Sequence, residues 1–291
     1  MSKPIRIALV GASGLIGSSL IRLAVGRSDI RVIAIARREI PLPPGARMEV
    51  LVADPANWAD AIAAANADVL VCALGTTWKA AGKDEAVFRS VDQHLVLACG
   101  KAAKEAGIRQ MIVVSSVGAD AGTKNFYLRV KGETEQALGK LGIPRLDVLR
   151  PGLLRGPRVE VRPAERIGMI LSPLLDLLMQ GKYRKYRSVK AETMARAIVG
   201  LTREKAAGRF VFEHDGILRA ARKADGIAGL AGINSRPPLT SQMHKAMQHP
   251  VADRAGEFLR FGSSPRGIGE SLDAEGATAP ESLRPMDRVG R

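Results

Sequence analysis

A tyrosine and a lysine, Tyr127 and Lys131, form the pair in this chain that is best suited to proton transfer. They are four residues apart, which on a helix places both side chains on one face. A phenol is a weak acid, and a lysine ammonium group one helical turn away favours the phenolate. We therefore predict that Tyr127 exchanges a proton with a substrate oxygen, while Lys131 assists it and also holds the ribose of a cofactor.

Two serines precede this pair at the end of a predicted strand. Ser115 closes the apolar run Gln110–Ser115, and Ser116 follows it. A hydroxyl at this position is suited to bind the carbonyl or carbinol oxygen of a substrate. Ser116 is the better aimed of the two, but the sequence leaves both open. A surface tyrosine and lysine on an amphipathic helix would give the same spacing, so the pair needs a second motif beside it.

That second motif is a glycine-rich turn between the apolar run Ile5–Val10 and a helical pattern. Such a turn directs backbone N–H groups and a helix amino end at a pyrophosphate. Gly11 is predicted to make the tight turn, Gly14 to let the backbone approach the ligand, and Gly17 to let the helix pack close to the strand. The predicted contacts from this turn are Gly11, Ser13, Gly14, Leu15, Ile16 and Gly17.

The residues after the second predicted strand favour one form of the cofactor. An NAD site usually has an acidic residue here for the ribose hydroxyl, but this chain has Arg37 and Arg38. A guanidinium group pairs with a 2′-phosphate through charge-assisted hydrogen bonds, and the Ser13 hydroxyl can add another. We therefore predict NADP(H) in preference to NAD(H).

Two further segments are expected near the cofactor. Asp54 follows the third strand and can accept a hydrogen bond from the adenine amino group, or it can cap a helix that begins at Pro55. The residues Leu74, Gly75 and Thr76 follow the fourth strand, at the edge where the ribose and phosphates would pass.

Strands and helices alternate up to residue 150, which predicts an α/β fold with a doubly wound parallel sheet of the Rossmann type. The predicted strands are Ile5–Val10, Arg31–Ala36, Val50–Ala53, Val69–Leu74, Gln110–Ser115 and Arg145–Leu149. The predicted helices cover residues 14–26, Trp58–Ala65, Ala86–Ala106 and Phe126–Leu141.

The regular pattern weakens after this point. We predict one domain over residues 1–221, in which residues 151–221 form a small cap, and a disordered basic tail over residues 222–291. The cap would contain the helices Ile167–Met179 and Thr193–Glu204 and the short strand Phe210–Phe212. A short helix is expected in the tail at Asp253–Arg260.

The composition of the chain limits the classes of binding partner that we expect. The net charge of +15 suits an anionic ligand, an anionic membrane surface or nucleic acid. No nucleic-acid-binding signature accompanies it, so we expect a small-molecule substrate, no nucleic acid and at most weak membrane association. Cys72, Cys99 and the four histidines show no metal-ligand spacing, and no metal is expected. Without a signal peptide or a long apolar span, a cytoplasmic protein is expected. The oligomeric state is left open.

Several of these segments together resemble the short-chain dehydrogenase/reductase superfamily. Gly11–Gly17 is similar to the cradle of its extended and atypical members. Ser115–Asp120 and Asn125–Glu133 most resemble the small atypical branch that contains the Tat-interacting-protein-like oxidoreductases, and Cys72–Thr77 and Arg150–Gly152 agree with that branch. The resemblance covers about residues 4–220 and implies NADP(H) binding with a poorly defined substrate. Many members have Asn on the helix after the fourth strand, where this chain has Val91-Asp92-Gln93.

The sequence therefore predicts an NADP(H)-dependent oxidoreductase that transfers hydride to or from a small carbonyl or alcohol substrate. A nucleotide-sensing protein that binds NADPH with little turnover is the main alternative. A sugar-nucleotide epimerase would need a larger carboxyl-terminal substrate domain than residues 151–221 supply.

Overall fold

The computed structural model of the chain describes residues 3–156 and 179–233. The central strands consist mainly of apolar residues, as expected for strands that are covered on both faces. In chain order, the strands are β1 Ile5–Val10, β2 Ile30–Ala36, β3 Glu49–Val52, β4 Val69–Cys72, β5 Gln110–Val114, β6 Arg145–Leu149, β7 Leu154–Arg155, β8 Val189–Lys190 and β9 Gly208–Phe212.

Seven strands form one sheet in the order β3-β2-β1-β4-β5-β6-β9, and every neighbouring pair is parallel. The chain therefore moves outward from β1 in one direction and then in the other. Loops at the carboxyl ends of β1 and β4 meet at this reversal, which is where ligands bind in such sheets. The predicted doubly wound parallel sheet is confirmed.

Helices cover both faces of the sheet. They are α1 Leu15–Ala24, α2 Trp58–Ala64, α3 Glu85–Arg89, α4 Val96–Glu105, α5 Phe126–Gly139, α6 Ala191–Leu201 and α7 His214–Ile233. Buried residues of α1, α6 and α7 form one apolar layer with the sheet. Those of α2, α4 and α5 form the other, which includes the free thiols of Cys72 and Cys99.

The helix predicted over Ala86–Ala106 is not uniform. Between α3 and α4 the segment Ser90–Leu95 is π-helical. A regular period of apolar residues does not predict such a change, because a π turn is selected by contacts with other elements. Here the segment carries Asp92 into the interior, where the residue is 1% exposed.

Part of the segment predicted as a cap, residues 151–221, belongs to the main sheet and its helical layer. The strand predicted at Phe210–Phe212 is β9, which extends the main sheet by pairing with β6 from Arg145↔Gly208 to Leu149↔Phe212. Helix α6 packs its buried face into the same layer as α1. Since these elements bury their apolar faces against the sheet, they complete the Rossmann fold. Outside it, β7 and β8 form a two-stranded parallel sheet, and residues Gly181–Tyr186 form a 3-10 helix.

Regular structure also continues beyond the predicted start of the tail at residue 222, because α7 runs to Ile233. Ala224 on this helix is 1% exposed, so the helix is held by packing against its neighbours. The helices expected at Ile167–Met179 and Asp253–Arg260 lie outside the described residues, apart from Met179. In the described part of the chain, no helix is long and apolar enough to cross a bilayer.

Candidate active site

The glycine turn after β1 is built so that side chains are excluded from it. Gly11 has a φ of +87°, and a Cβ there would lie 2.6 Å from the carbonyl carbon of Ala73. A Cβ at Gly17 would lie 2.3 Å from the carbonyl oxygen of Gly11. Both positions therefore require glycine, one for a left-handed backbone and both for close approach.

The amino end of α1 is suited to hold an anion. Gly14 caps the helix without a side-chain hydrogen bond, and the first turn contains no acidic residue. The cap and Ser13 are both exposed. The first amides of an α-helix have no partner within the helix, so they can donate to phosphate oxygens that approach here. The residues present thus fit the pyrophosphate of a dinucleotide.

The two arginines after β2 lie beside this turn. Strands β1 and β2 pair with Val10 opposite Ile35, so Arg37 follows β2 at the level of the residues after Gly11. Both Arg37 and Arg38 are exposed. After β3, the Asp54 carboxylate accepts a hydrogen bond of 2.9 Å from the Ala56 amide and caps the short 3-10 helix Pro55–Asn57. The capping role that the sequence allowed for Asp54 is therefore present.

Tyr127 and Lys131 lie in the first two turns of α5. The helix begins at Phe126 because the Asn125 side chain accepts from the Leu128 amide at 3.1 Å. Tyr127 is half-buried, whereas the Lys131 side chain is only 7% exposed. A buried ammonium group needs a counter-ion, because desolvation of an unpaired charge costs several kcal/mol, roughly.

Asp92 supplies that counter-ion. Its Oδ1 lies 2.7 Å from Lys131 Nζ, and its Oδ2 accepts from the Thr76 backbone N–H at 2.7 Å. Burial alone would lower the pKa of Lys131, but the neighbouring Asp92 carboxylate outweighs it and raises that pKa above its ordinary value. Lys131 is therefore held in its charged form.

The loop after β4 passes directly over this ion pair. A Cβ at Gly75 would lie 3.6 Å from Asp92 Oδ1 and 3.9 Å from Lys131 Nζ. The structure thus brings Gly75 and Thr76, from one predicted cofactor segment, together with the predicted catalytic lysine. Leu74, the first residue of that segment, is half-buried.

Sequence reasoning did not include Asp92 among the site residues. The position was noted only because an asparagine is common there in similar proteins. The signal that could have identified it is an acidic residue within an otherwise helical pattern after the fourth strand, since a buried lysine requires such a partner.

The two candidate serines have different environments. The Ser115 hydroxyl is buried and donates to Glu135 Oε1 at 2.6 Å. The Glu135 carboxylate also accepts from Arg150, at 2.9 and 2.5 Å, and from Arg209, at 3.0 Å. Ser116 is half-buried, and its hydroxyl lies 3.4 Å from the carbonyl oxygen of Val117, near the limit for a hydrogen bond.

Glu135 also lines a cavity of about 470 Å³ on another flank of α5. Its other charged lining residues are Asp120, Arg150, Lys185, Arg209 and Glu213. None of Ser115, Ser116, Tyr127 and Lys131 lines this cavity, so it is separate from the groups suited to proton transfer.

Comparison with known proteins agrees with a dinucleotide-binding fold. A family model described as NAD(P)H-binding matches residues 11–155. Protein fmp52, mitochondrial, of Emericella nidulans is 33% identical over 176 residues, which cover 58% of this chain and 75% of that protein. The protein of the same name from Aspergillus clavatus is 31% identical over 200 residues, with 66% and 85% covered.

Solved structures share the fold at lower identity. UDP-glucose 4-epimerase from Brucella ovis, in complex with NAD, has a TM-score of 0.55 and 16% identity, over 71% of this chain and 76% of that chain. UDP-glucuronic acid 4-epimerase from Bacillus cereus, in complex with NAD, has a TM-score of 0.52 and 18% identity, over 71% and 78%.

The fold and the glycine turn define an NAD(P)-binding Rossmann protein with neighbours in the short-chain dehydrogenase/reductase superfamily. More closely, the chain belongs to the family of the fmp52 proteins. The predicted superfamily is thus confirmed.

The expectation of a cytoplasmic location is wrong by the same comparison. Curated relatives at 31–38% identity are named as mitochondrial proteins. The expectation relied on the lack of a secretory signal and of a long apolar span, and neither feature distinguishes one aqueous compartment from another.

Proposed function

We propose that this chain is an NADP(H)-dependent oxidoreductase that transfers hydride to or from a small carbonyl or alcohol substrate. The observation that carries the proposal is the buried Lys131–Asp92 ion pair one helical turn from Tyr127, covered by the loop after β4. A buried ammonium group close to a phenol is an arrangement suited to acid–base chemistry.

The chain's own residues provide a place for each part of the cofactor. The amides of Leu15, Ile16 and Gly17 would hold the pyrophosphate, and Lys131 would hold the ribose next to the nicotinamide. Asp54 would accept from the adenine through whichever carboxylate oxygen its cap leaves available. When bound, the reduced nicotinamide supplies the hydride.

The preference for NADP(H) rests on charge. Arg37 and Arg38 are exposed beside the glycine turn, and Ser13 is exposed within it. Two guanidinium groups and a hydroxyl would bind a 2′-phosphate, whereas a carboxylate at this place would repel it.

Tyr127 would donate a proton to the carbonyl oxygen during reduction and accept one from the alcohol during oxidation. Lys131 holds a positive charge beside it because Asp92 keeps the ammonium group protonated. Ser116 would orient the substrate oxygen, since the Ser115 hydroxyl already donates a hydrogen bond to Glu135.

The test combines binding with turnover. The full chain is titrated with NADPH and with NADH, and is then assayed with a panel of aldehydes, ketones and quinones. Tighter binding of NADPH together with turnover of at least one compound supports the proposal. NADPH binding without turnover of any compound favours the nucleotide-sensing alternative, and no binding of either cofactor contradicts both.

A further inference from the structure

Aromatic residues are few in this chain, and they are unevenly placed. The sequence has 2 Trp, 3 Tyr and 6 Phe in 291 residues. Four of these rings, one of them that of the candidate catalytic tyrosine, form a connected set, and we refer to Trp78, Phe88, Phe126 and Tyr127 as the aromatic cluster. In a protein whose core is mostly aliphatic, four aromatic rings at one place suggest a role beyond packing.

The four rings contact one another in edge-on or tilted geometry. The centroid of Phe88 lies 5.6 Å from that of Tyr127 and 5.6 Å from that of Phe126. Trp78 lies 5.1 Å from Phe126 and 6.2 Å from Phe88. These separations are those of favourable aromatic pairs, and Phe88 links the tyrosine ring to those of Trp78 and Phe126.

Burial divides the cluster into a base and a face. Phe88 is fully buried, at 0% exposed, and forms the base together with Val130. Phe126 and Tyr127 are half-buried, and Trp78 is 37% exposed although it is a large apolar ring. Packing alone explains Phe88 but leaves the exposed indole unexplained.

The segment that carries Trp78 is held in place by its own backbone. The Ala81 amide donates to the Thr77 carbonyl at 2.9 Å, and the Lys83 amide donates to the Trp78 carbonyl at 2.9 Å. Ala81 is buried against the cluster. The indole is thus presented on an ordered turn, so a ligand that contacts it need not order the turn first.

The neighbouring ring, that of Phe126, already contacts two arginine side chains. The guanidinium carbons of Arg89 and Arg129 lie 5.5 and 5.7 Å from the Phe126 ring centroid. Both arginines also pair with Glu133, at 2.6 and 3.9 Å. Phe126 is therefore fixed between the cations and Trp78, and the indole is the ring with the most exposed area left for a ligand.

From this placement we propose that Trp78 and Tyr127 form a binding surface for an aromatic ring of the substrate, and that the substrate class is an aryl aldehyde or aryl ketone. The inference rests on the proposed function. In such a compound the ring is bonded directly to the carbonyl carbon. When the oxygen is within reach of the Tyr127 hydroxyl, the ring comes to lie against the cluster to which the tyrosine belongs.

The experiment measures binding without turnover. Acetophenone and 2-acetonaphthone are compared with their saturated counterparts, cyclohexyl methyl ketone and 2-acetyldecalin, on the full chain saturated with NADP⁺. Under these conditions no hydride is available. Saturation-transfer NMR gives the relative occupancy, and quenching of tryptophan fluorescence gives the affinity. Trp58, the second tryptophan, is 4% exposed and bonded to the Ala53 carbonyl, so a Trp58→Phe background isolates the signal of Trp78.

We expect the aromatic ketones to bind about two- to tenfold more tightly than the saturated ones, as follows from the strength of aromatic pairs. Trp78→Leu should abolish this difference, while Trp78→Phe should keep most of it. For these two variants the saturation-transfer signal is the readout, because they lack the Trp78 fluorescence. Tyr186→Leu removes another exposed aromatic ring, which lies in the 3-10 helix Gly181–Tyr186, and should change nothing. Thermal melts establish that each variant is folded.

The proposal is overturned if aromatic and saturated ketones bind equally, if neither aromatic ketone binds, or if a parallel titration without NADP⁺ shows that the aromatic ketone reaches Trp78 only when the cofactor is absent. The last result would assign the indole to the cofactor. These outcomes are distinct from failure of the proposed function, which would appear as a wild-type protein that binds no NADPH or reduces no carbonyl compound.

Discussion

The Asp92 carboxylate and the Lys131 ammonium group form a buried ion pair with a separation of 2.7 Å. The two residues belong to different elements, a π-helical segment and α5. The same carboxylate also holds the Thr76 amide, so one side chain connects the loop after β4 to the candidate catalytic lysine.

Asp92→Asn should therefore destabilise the fold while it preserves the contact with Thr76. The amide oxygen can still accept from that N–H, but Lys131 loses its counter-ion. Removing one partner of a buried pair costs about 3–5 kcal/mol. Urea denaturation at pH 7 measures the loss in free energy of unfolding, and Asp60→Asn, an exposed acid on α2, is the matched control with little effect.

The pH dependence of this pair has a definite sign. The pKa of Lys131 is raised in the folded state, so the pair stabilises the protein below the unfolded lysine pKa of about 10.4. That contribution is lost as the pH rises through the higher folded value. The difference in the free energy of unfolding between wild type and Asp92→Asn should have its full value at pH 7 and should shrink as the pH rises through the folded pKa of Lys131. A difference that stays constant to high pH would contradict the ion-pair interpretation.

Replacement of both Arg37 and Arg38 by alanine should weaken NADPH binding and leave NADH binding unchanged. Loss of charge-assisted hydrogen bonds costs about 1.5–3 kcal/mol, or roughly ten- to a hundredfold in affinity. Fluorescence titration with both cofactors gives the ratio. Lys101→Ala removes an exposed cation from α4 and should alter neither affinity. Equal affinity of the wild type for NADPH and NADH would count against the preference.

Tyr127→Phe should abolish turnover while NADPH binding stays nearly intact. The substitution removes the hydroxyl and keeps the ring that packs against Phe88 at 5.6 Å. General acid catalysis contributes about 10²–10⁴-fold in rate, so kcat should fall by that order. Lys131→Met, by contrast, should weaken cofactor binding as well. Wild-type turnover by Tyr127→Phe would favour a sensing role.

The two serines should separate into one that affects turnover and one that affects stability. Ser116→Ala is expected to lower kcat and leave the melting temperature unchanged. Ser115→Ala removes the 2.6 Å hydrogen bond to Glu135 and should lower stability by about 1 kcal/mol. Steady-state kinetics and thermal melts on both variants test this; a kcat loss confined to Ser115→Ala would reverse the assignment.

Truncation after Ala221 should be more harmful than truncation after Ile233. The shorter chain ends inside α7 and loses Ala224, which is 1% exposed. A Cβ at Gly200 of α6 would lie 2.1 Å from the Ala220 carbonyl oxygen, so the two helices are in close contact at the point of truncation. Melting temperatures of the two truncated chains provide the comparison. Equal values would show that the last turns of α7 add nothing.

The sequence predicted those parts of the fold that are set by local pattern. Strand β1 was predicted with both of its ends because Ile5–Val10 is an apolar run with Arg6 as its only polar member, and a turn follows it. Strand β6 was also predicted end to end. The glycine turn could be located because its spacing follows from steric limits that act within the turn and against the adjacent loop after β4.

What the sequence did not predict depends on contacts between distant elements. A short strand was predicted at Phe210–Phe212, but its place at the edge of the main sheet was not, because that place depends on pairing with β6. The choice between Ser115 and Ser116 depends on where Glu135 lies. Asp92 lies in a π turn and pairs with a lysine 39 residues away, a contact that no local pattern contains.

The π-helical segment also limits which changes in chain length this protein can accept. An α-helix rotates about 100° per residue, so a single deletion within Ser90–Leu95 that restored regular α-helical geometry would turn Asp92 away from Lys131. The shortened helix would have better backbone hydrogen bonds, but the candidate active site would lose its buried ion pair. The orientation of Asp92 towards Lys131, rather than the regularity of the helix, is what a change in the length of this segment has to preserve.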